Sequence, residues 1–130
     1  MLHLYDTVTR DVRELKMREP GKLGIYLCGP TVYGPPHLGH GRATLVYDIL
    51  RRYMEWCGVR VRLVSNITDI DDKILARGLE LNEPWWSVAM RNERAFTLAY
   101  DVLGCIPPTY EPRATGHIPE MITLIQRLID

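Results

Sequence analysis

The sequence predicts an α/β fold built on a parallel βαβ unit, and three observations predict it. A short apolar run, Leu23-Gly-Ile-Tyr-Leu-Cys28, leads into a loop rich in Gly and Pro. Helical spacing of apolar residues then runs from near His37 to Trp56. A second run, Val59-Arg-Val-Arg-Leu-Val64, alternates and then turns apolar. A strand, a helix of roughly 20 residues and a second strand make a βαβ unit, right-handed by default.

The first fifteen residues read as two short extended pieces around a turn, with Leu2, Leu4, Val12 and Leu15 flanking the polar stretch from Asp6 to Asp11. Pro20-Gly21 breaks the chain before the first buried strand. Gly29 to Pro36 is a loop. In the following helix Leu38, Leu45, Ile49, Tyr53 and Trp56 form an apolar stripe, and Gly58 is a C-terminal stop. An acidic turn, Thr68-Asp-Ile-Asp-Asp72, precedes a short helix from about Lys73 to Leu81. Pro84 suits the first turn of the next helix, whose apolar face is Trp85, Val88, Ala89, Phe96, Ala99, Tyr100 and Leu103. Trp85 and Trp86 are expected to pack, with one ring outward. A last helix starts at Thr115 or Gly116 and carries a stripe of Ile118, Met121, Ile122, Ile125, Leu128 and Ile129. That stripe has no stop signal, and a two-stranded parallel sheet is small. Both lead us to expect further chain, or a partner, to complete the fold.

At 130 residues and 15.0 kDa the chain is one domain at most, or a piece of a larger one. Apolar residues at 46% and charged residues at 25% exclude a disordered or collagen-like chain. No apolar run approaches the ~20 residues that span a bilayer, and the start lacks signal-peptide character. Sixteen basic residues balance sixteen acidic ones, so no strong overall basic footprint points to nucleic acid. Three widely spaced cysteines, at 28, 57 and 105, make a poor disulfide framework and no CxxC pair. The expectation is a reduced, cytoplasmic protein without a membrane segment.

His37-Leu38-Gly39-His40 stands where the first strand hands over to the first helix. Nucleotides bind at the carboxyl ends of parallel strands, where free N–H groups and the helix dipole attract phosphate. Gly39 lets a ligand approach the backbone. Histidines three apart share one side of the first turn and can donate to phosphate oxygens whose charge grows as pyrophosphate leaves. The residues fit equally a helix cap made by one His with the other solvated. Cys28 by itself fits either a metal ligand beside the loop or a small buried hydrophobe.

The segment ending in His-Leu-Gly-His resembles the HIGH signature of class I aminoacyl-tRNA synthetases. More closely, Tyr26-Leu-Cys-Gly-Pro-Thr-Val-Tyr33, His37 to Arg42, Asn66-Ile-Thr-Asp-Ile-Asp-Asp-Lys73 and Glu111-Pro-Arg-Ala-Thr-Gly-His-Ile118 are similar, in order and spacing, to cysteinyl-tRNA synthetases. The resemblance covers essentially the whole chain. It implies the N-terminal half of a Rossmann-like (HUP-type) nucleotide-binding domain over residues 1–114, with 115–130 starting the connecting insertion. It implies ATP with Mg2+, L-cysteine and tRNA(Cys) as substrates, and a complementing C-terminal half as a partner. His37 and His40 match the ATP-binding, catalytic histidines. Gly29, Pro30, Thr31, Gly39, Asn66, Ile67 and Thr68 match residues around the adenylate. Cys28 matches the first ligand of a Zn2+ that takes the substrate thiolate, a softer ligand than a hydroxyl. The other zinc ligands, and a KMSKS-like loop, have no counterpart in this sequence. Lys16-Met17 is misplaced for that loop, and Gly34 stands where many members carry Asp.

Asp69, Asp71 and Asp72 are expected to cap the helix near Lys73 and to take no catalytic part. Cys57 and Cys105 are expected in the core or at its boundary, and Arg113 and His117 in structural roles or near the insertion boundary. Two other readings are a stand-alone short homologue that binds ATP or cysteine, and a mycothiol-type cysteine ligase. Val32, Gly41-Arg42 and Lys73 argue against the latter.

Overall fold

The computed structural model describes residues 2–130. Strand β1 (His3–Asp6) pairs antiparallel with β2 (Asp11–Glu14), His3 facing Glu14 across the pair. Strand β3 (Lys22–Leu27) pairs in parallel with β4 (Arg60–Ser65), from Lys22 opposite Arg60 to Leu27 opposite Ser65. Helix α1 (Leu38–Trp56) is the crossover between them. It stops where Gly58 adopts φ 81°, a left-handed conformation that glycine enters without steric cost. Helices α2 (Asp72–Leu81) and α3 (Trp85–Val102) follow, and a 3-10 turn (Ala114–His117) leads into α4 (Ile118–Ile129). The α/β class is the one the sequence predicts, and the strand and α1–α3 bounds fall within a residue or so of the expected ones.

The sheet extends further than the periodicity reveals. Residues 109–113 run beside β4 through bridges Val64–Tyr110 and Ile67–Arg113, both parallel. The amides of Ser65 and Ile67 donate to the carbonyls of Tyr110 and Pro112 at 3.1 and 2.9 Å. Pro107, Pro108 and Pro112 interrupt any strand pattern there, so the pairing is invisible to periodicity.

Two apolar clusters hold the unit. Leu23, Met54 and Val61 pack with Leu50 and with Leu2 and Leu15 of the N-terminal segment, at one end of the sheet. Val32, Ile67, Ile74, Ala89 and Phe96 pack with Trp85 and Tyr100 under the loops at the other end. Val32, Ile74 and Val88 are fully buried. Burying side chains of this size contributes roughly 1.5–3 kcal/mol each.

Several expectations are corrected. The α1 stripe is helical, but Leu38, Ile49 and Trp56 face outward, and the buried residues of the helix are Asp48 and Met54. Asp48 is buried because it is paired: it accepts from Arg52 Nε at 2.7 Å and from the Ile106 amide at 2.9 Å. Cys57 is exposed at the end of α1, whereas Cys105 is buried, and burial pushes its thiol pKa up. The α4 stripe is exposed along its length. That helix begins at Ile118 with Pro119 in its first turn, because residues 114–117 take the tighter 3-10 form. As expected, one ring of the tryptophan pair points outward, and it is Trp86.

Candidate functional site

The loops that follow β3 and β4 are zipped together beyond the strands. The Val32 amide donates to the Thr68 carbonyl at 3.2 Å, and the Thr68 amide to the Pro30 carbonyl at 3.0 Å. The contact is closest at Gly29, where a Cβ would lie 1.6 Å from the Asn66 carbonyl oxygen. Glycine is required there by space, since its φ is ordinary. The Asn66 side chain completes the closure. Its Oδ1 accepts from the Gly29 amide at 2.9 Å and from the Tyr26 hydroxyl at 3.2 Å, and its Nδ2 donates to Thr68 Oγ1 at 3.2 Å. From below, the buried Asn92 of α3 donates through Nδ2 to the Val32 carbonyl at 3.1 Å.

His37 is the N-cap of α1. Its Nδ1 accepts from the Gly39 amide at 3.1 Å, while His40 Nδ1 accepts from the His37 amide at 3.2 Å. The rings lie tilted by 33° with centroids 3.8 Å apart, and the His40 and Phe96 rings meet in a T-shaped arrangement with centroids 4.8 Å apart. Burial, then the neighbouring His37, hold His40 below the ordinary histidine pKa. The expectation of one capping and one solvated histidine is thus only half of the arrangement: both are capping partners.

A cavity of about 320 Å³ opens between these loops, α1 and α3, a size suited to a small ligand. Of the predicted residues, Cys28, Gly29, Pro30, Thr31, His40 and Ile67 line it. His37, Gly39, Asn66 and Thr68 are not part of the lining, His37 and Gly39 being exposed at the start of α1, and Asn66 acts on the site through the Gly29 backbone it holds. The Cys28 thiol is exposed at the rim, just beyond the end of β3. At the far side stand Tyr100, Glu93 and Glu111. Desolvation, with Glu93 beside it, raises the Glu111 pKa against the opposing pull of Arg113. Arg113 grips Glu93 through Nη2 and through Nε, the latter at 3.1 and 3.0 Å from the two carboxylate oxygens.

The acidic turn divides its work. Asp71 caps α2 by accepting from the Lys73 amide at 2.9 Å, and Asp72 lies in the first turn. Asp69 does not cap that helix. It is buried and accepts from the amide of Thr115 at 3.0 Å and from the Thr115 hydroxyl, tying the turn to the 3-10 segment. His117 stands 3.9 Å from Glu120, away from the cavity lining. Zinc needs about four ligands in a structural site and three in a catalytic one. Among the described residues no group of three or more His, Cys, Asp or Glu side chains could hold a metal ion. Cys28 alone does not fit a zinc centre. Sequence reasoning missed Asn92, Asp48 and Glu93, since nothing in the local pattern marks a residue whose partner lies on another element.

Comparison with known proteins adds to this geometry. The model of a family described as tRNA synthetases class I (C) catalytic domain matches residues 14–130. The chain is 57% identical over 129 residues to a cysteine–tRNA ligase of Beutenbergia cavernae, covering 99% of this chain and 27% of that protein. It is 52% identical over 129 residues to the cysteine–tRNA ligase of Streptomyces avermitilis (99% and 28%). It is 53% identical over 127 residues to that of Cutibacterium acnes (98% and 26%). The chain spans about a quarter of the length of these curated relatives. Among the described residues no helix is long and apolar enough to cross a membrane.

Proposed function

Because the chain belongs to the class I tRNA synthetase (C) catalytic-domain family, we propose that it carries the ATP- and cysteine-facing part of a cysteine–tRNA ligase. The reaction has two steps. The cysteine carboxylate attacks the α-phosphate of ATP, its Mg2+ complex, releasing pyrophosphate and forming cysteinyl-adenylate. A ribose hydroxyl of the terminal adenosine of tRNA(Cys) then attacks the adenylate's carbonyl, forming the cysteinyl ester and releasing AMP. The protein's part is to position the reactants and stabilise charge, not to form a covalent intermediate.

The observation that carries this reading is His40 at the start of α1, lining a cavity with the loops at the carboxyl ends of two parallel strands, with the His37 ring beside it. His37 and His40 donate through Nε2 to the triphosphate. Gly29, Pro30 and Thr31 offer backbone to the adenylate, with Ile67 beneath it and Asn66 and Thr68 holding the loop. Cys28, exposed at the rim, stands where the substrate thiol is selected. No step is routed through zinc, because this thiol has no companion ligands among the described residues. Residues 1–114 are read as the first half of the catalytic domain and 115–130 as the start of an insertion, joined by the Asp69–Thr115 contact. The remaining parts of the reaction fall to a complementing C-terminal half, and the setting is cytoplasmic.

The test is cysteine-dependent exchange of labelled pyrophosphate into ATP, by the chain alone and with the rest of a relative's chain added, with and without zinc. Exchange that falls in His37→Ala and His40→Ala variants supports the reading. Exchange in neither format, or exchange indifferent to both histidines, overturns it.

A further inference from the structure

We infer that His37 and His40, through the helix cap they build together, are both locked in the neutral tautomer that carries its proton on Nε2. Helix α1 therefore presents two fixed Nε2–H donors at its N-terminus. The functional use of those donors rests on the phosphate-binding reading above; the tautomers themselves do not.

The argument is one of donors and acceptors. A histidine nitrogen that accepts a hydrogen bond carries a lone pair, so the proton of the neutral ring sits on the other nitrogen. His37 Nδ1 accepts from the Gly39 amide at 3.1 Å, and His40 Nδ1 accepts from the His37 amide at 3.2 Å. Both Nδ1 atoms are thereby occupied by backbone donors, which leaves Nε2–H on each ring. The pattern reproduces a capping box with two imidazoles in place of the usual Ser/Thr and Glu/Gln. A protonated ring would set its own Nδ1–H against a backbone N–H and break its half of the cap.

Two further observations point the same way. A Cβ at Gly39 would lie 2.9 Å from His37 Cε1 and 3.0 Å from Nδ1. The glycine between the histidines is thus needed for the His37 ring to fold back onto the Gly39 amide, apart from any approach of a ligand. The ring centroids also lie 3.8 Å apart, with His40 against Phe96 of the core. Two imidazolium ions at that separation, at the positive end of a helix, repel each other and the dipole. Burial and His37 both lower the His40 pKa.

The experiment is nitrogen-15 NMR of the imidazoles in the histidine-labelled chain above neutral pH, with exposed His3 as the internal reference. The expected result is an unprotonated Nδ1 and a protonated Nε2 on both rings, while His3 shows the tautomer average of a solvated histidine. Gly39→Ala should move His37 toward that average. His37→Asn should leave His40 unchanged, because asparagine keeps both the capping oxygen and the backbone N–H that His40 accepts. An Nδ1 proton on either ring, a His3-like average on both, or loss of the His40 signature in His37→Asn overturns the inference. Should Gly39→Ala fail to fold, His37→Asn still decides. Addition of Mg-ATP separates this inference from the functional reading. Locked tautomers whose Nε2 signals do not respond to ATP would support the lock and refute phosphate binding.

Discussion

Gly29 and Asn66 meet backbone to backbone, with room for no atom between the glycine Cα and the asparagine carbonyl. The contact joins the two loops that form the floor of the candidate site. Alanine at Gly29 must push them apart. The expected cost is about 3 kcal/mol or more, the upper range for forced overpacking, read by urea unfolding. Gly24→Ala, on β3 with nothing within 4 Å of the new carbon, serves as the control and should leave stability unchanged or raise it by up to about 1 kcal/mol. Equal losses at both positions would show that the loop contact does not matter.

Asn66 acts on the site through the Gly29 amide. Asn66→Ala removes three hydrogen bonds and should cost roughly 1–3 kcal/mol. It should also change the alkylation rate of Cys28 relative to Cys57, the other exposed thiol, because Gly29 adjoins Cys28. Asn66→Asp keeps the acceptor for Gly29 and loses only the donor to Thr68, so the Cys28 rate should stay closer to wild type. A Cys28:Cys57 ratio unchanged in Asn66→Ala would remove the positioning role.

Asn92→Leu leaves the Val32 carbonyl without its donor in the core beneath the loop. The expected loss is about 1–3 kcal/mol. Asn92→Asp should be worse, since a carboxylate cannot donate and is buried besides. Stability retained in either variant would show that the carbonyl finds another partner.

Stability should respond to pH with two opposite signs. His40 is depressed in the fold, so on acidification below the ordinary 6.5 the unfolded ring binds a proton that the folded ring refuses. Stability therefore falls as pH drops from about 6.5 toward the folded value. Glu111 is raised, so from the ordinary 4.5 up to its folded value the folded carboxyl binds more proton, and stability falls as pH rises through that window. Unfolding free energies across pH 4–8 should lose the first slope in His40→Gln and the second in Glu111→Gln. Glutamine at position 40 keeps the capping box, so the slope is separated from the cap.

In pyrophosphate exchange, His37→Asn should lower the rate by about 10²–10³ with little change in KM, the effect of removing one donor that matters most in the transition state. A purely structural His37 would predict near-normal exchange in this variant, because the cap survives.

The sequence by itself determined the local pieces. The strand at Leu23, the helix after His37, the strand at Val59 and the two helices that follow announce themselves by spacing, glycine stops and prolines. Their order alone brings the Gly29 and Asn66 loops to one end of a parallel pair. What only the tertiary structure decided is which partners each residue finds. Residues 109–113 pair with β4 through isolated bridges because its edge is open, against their own prolines. Leu38, Ile49 and Trp56 of the α1 stripe face outward, while Asp48 is buried with Arg52 and the Ile106 amide as partners. Asp69 turns from its expected helix to Thr115, and Asn92 reaches Val32 from sixty residues away. Periodicity records the conformation of neighbours in sequence; burial and hydrogen bonding between distant residues exist only once the chain has closed on itself.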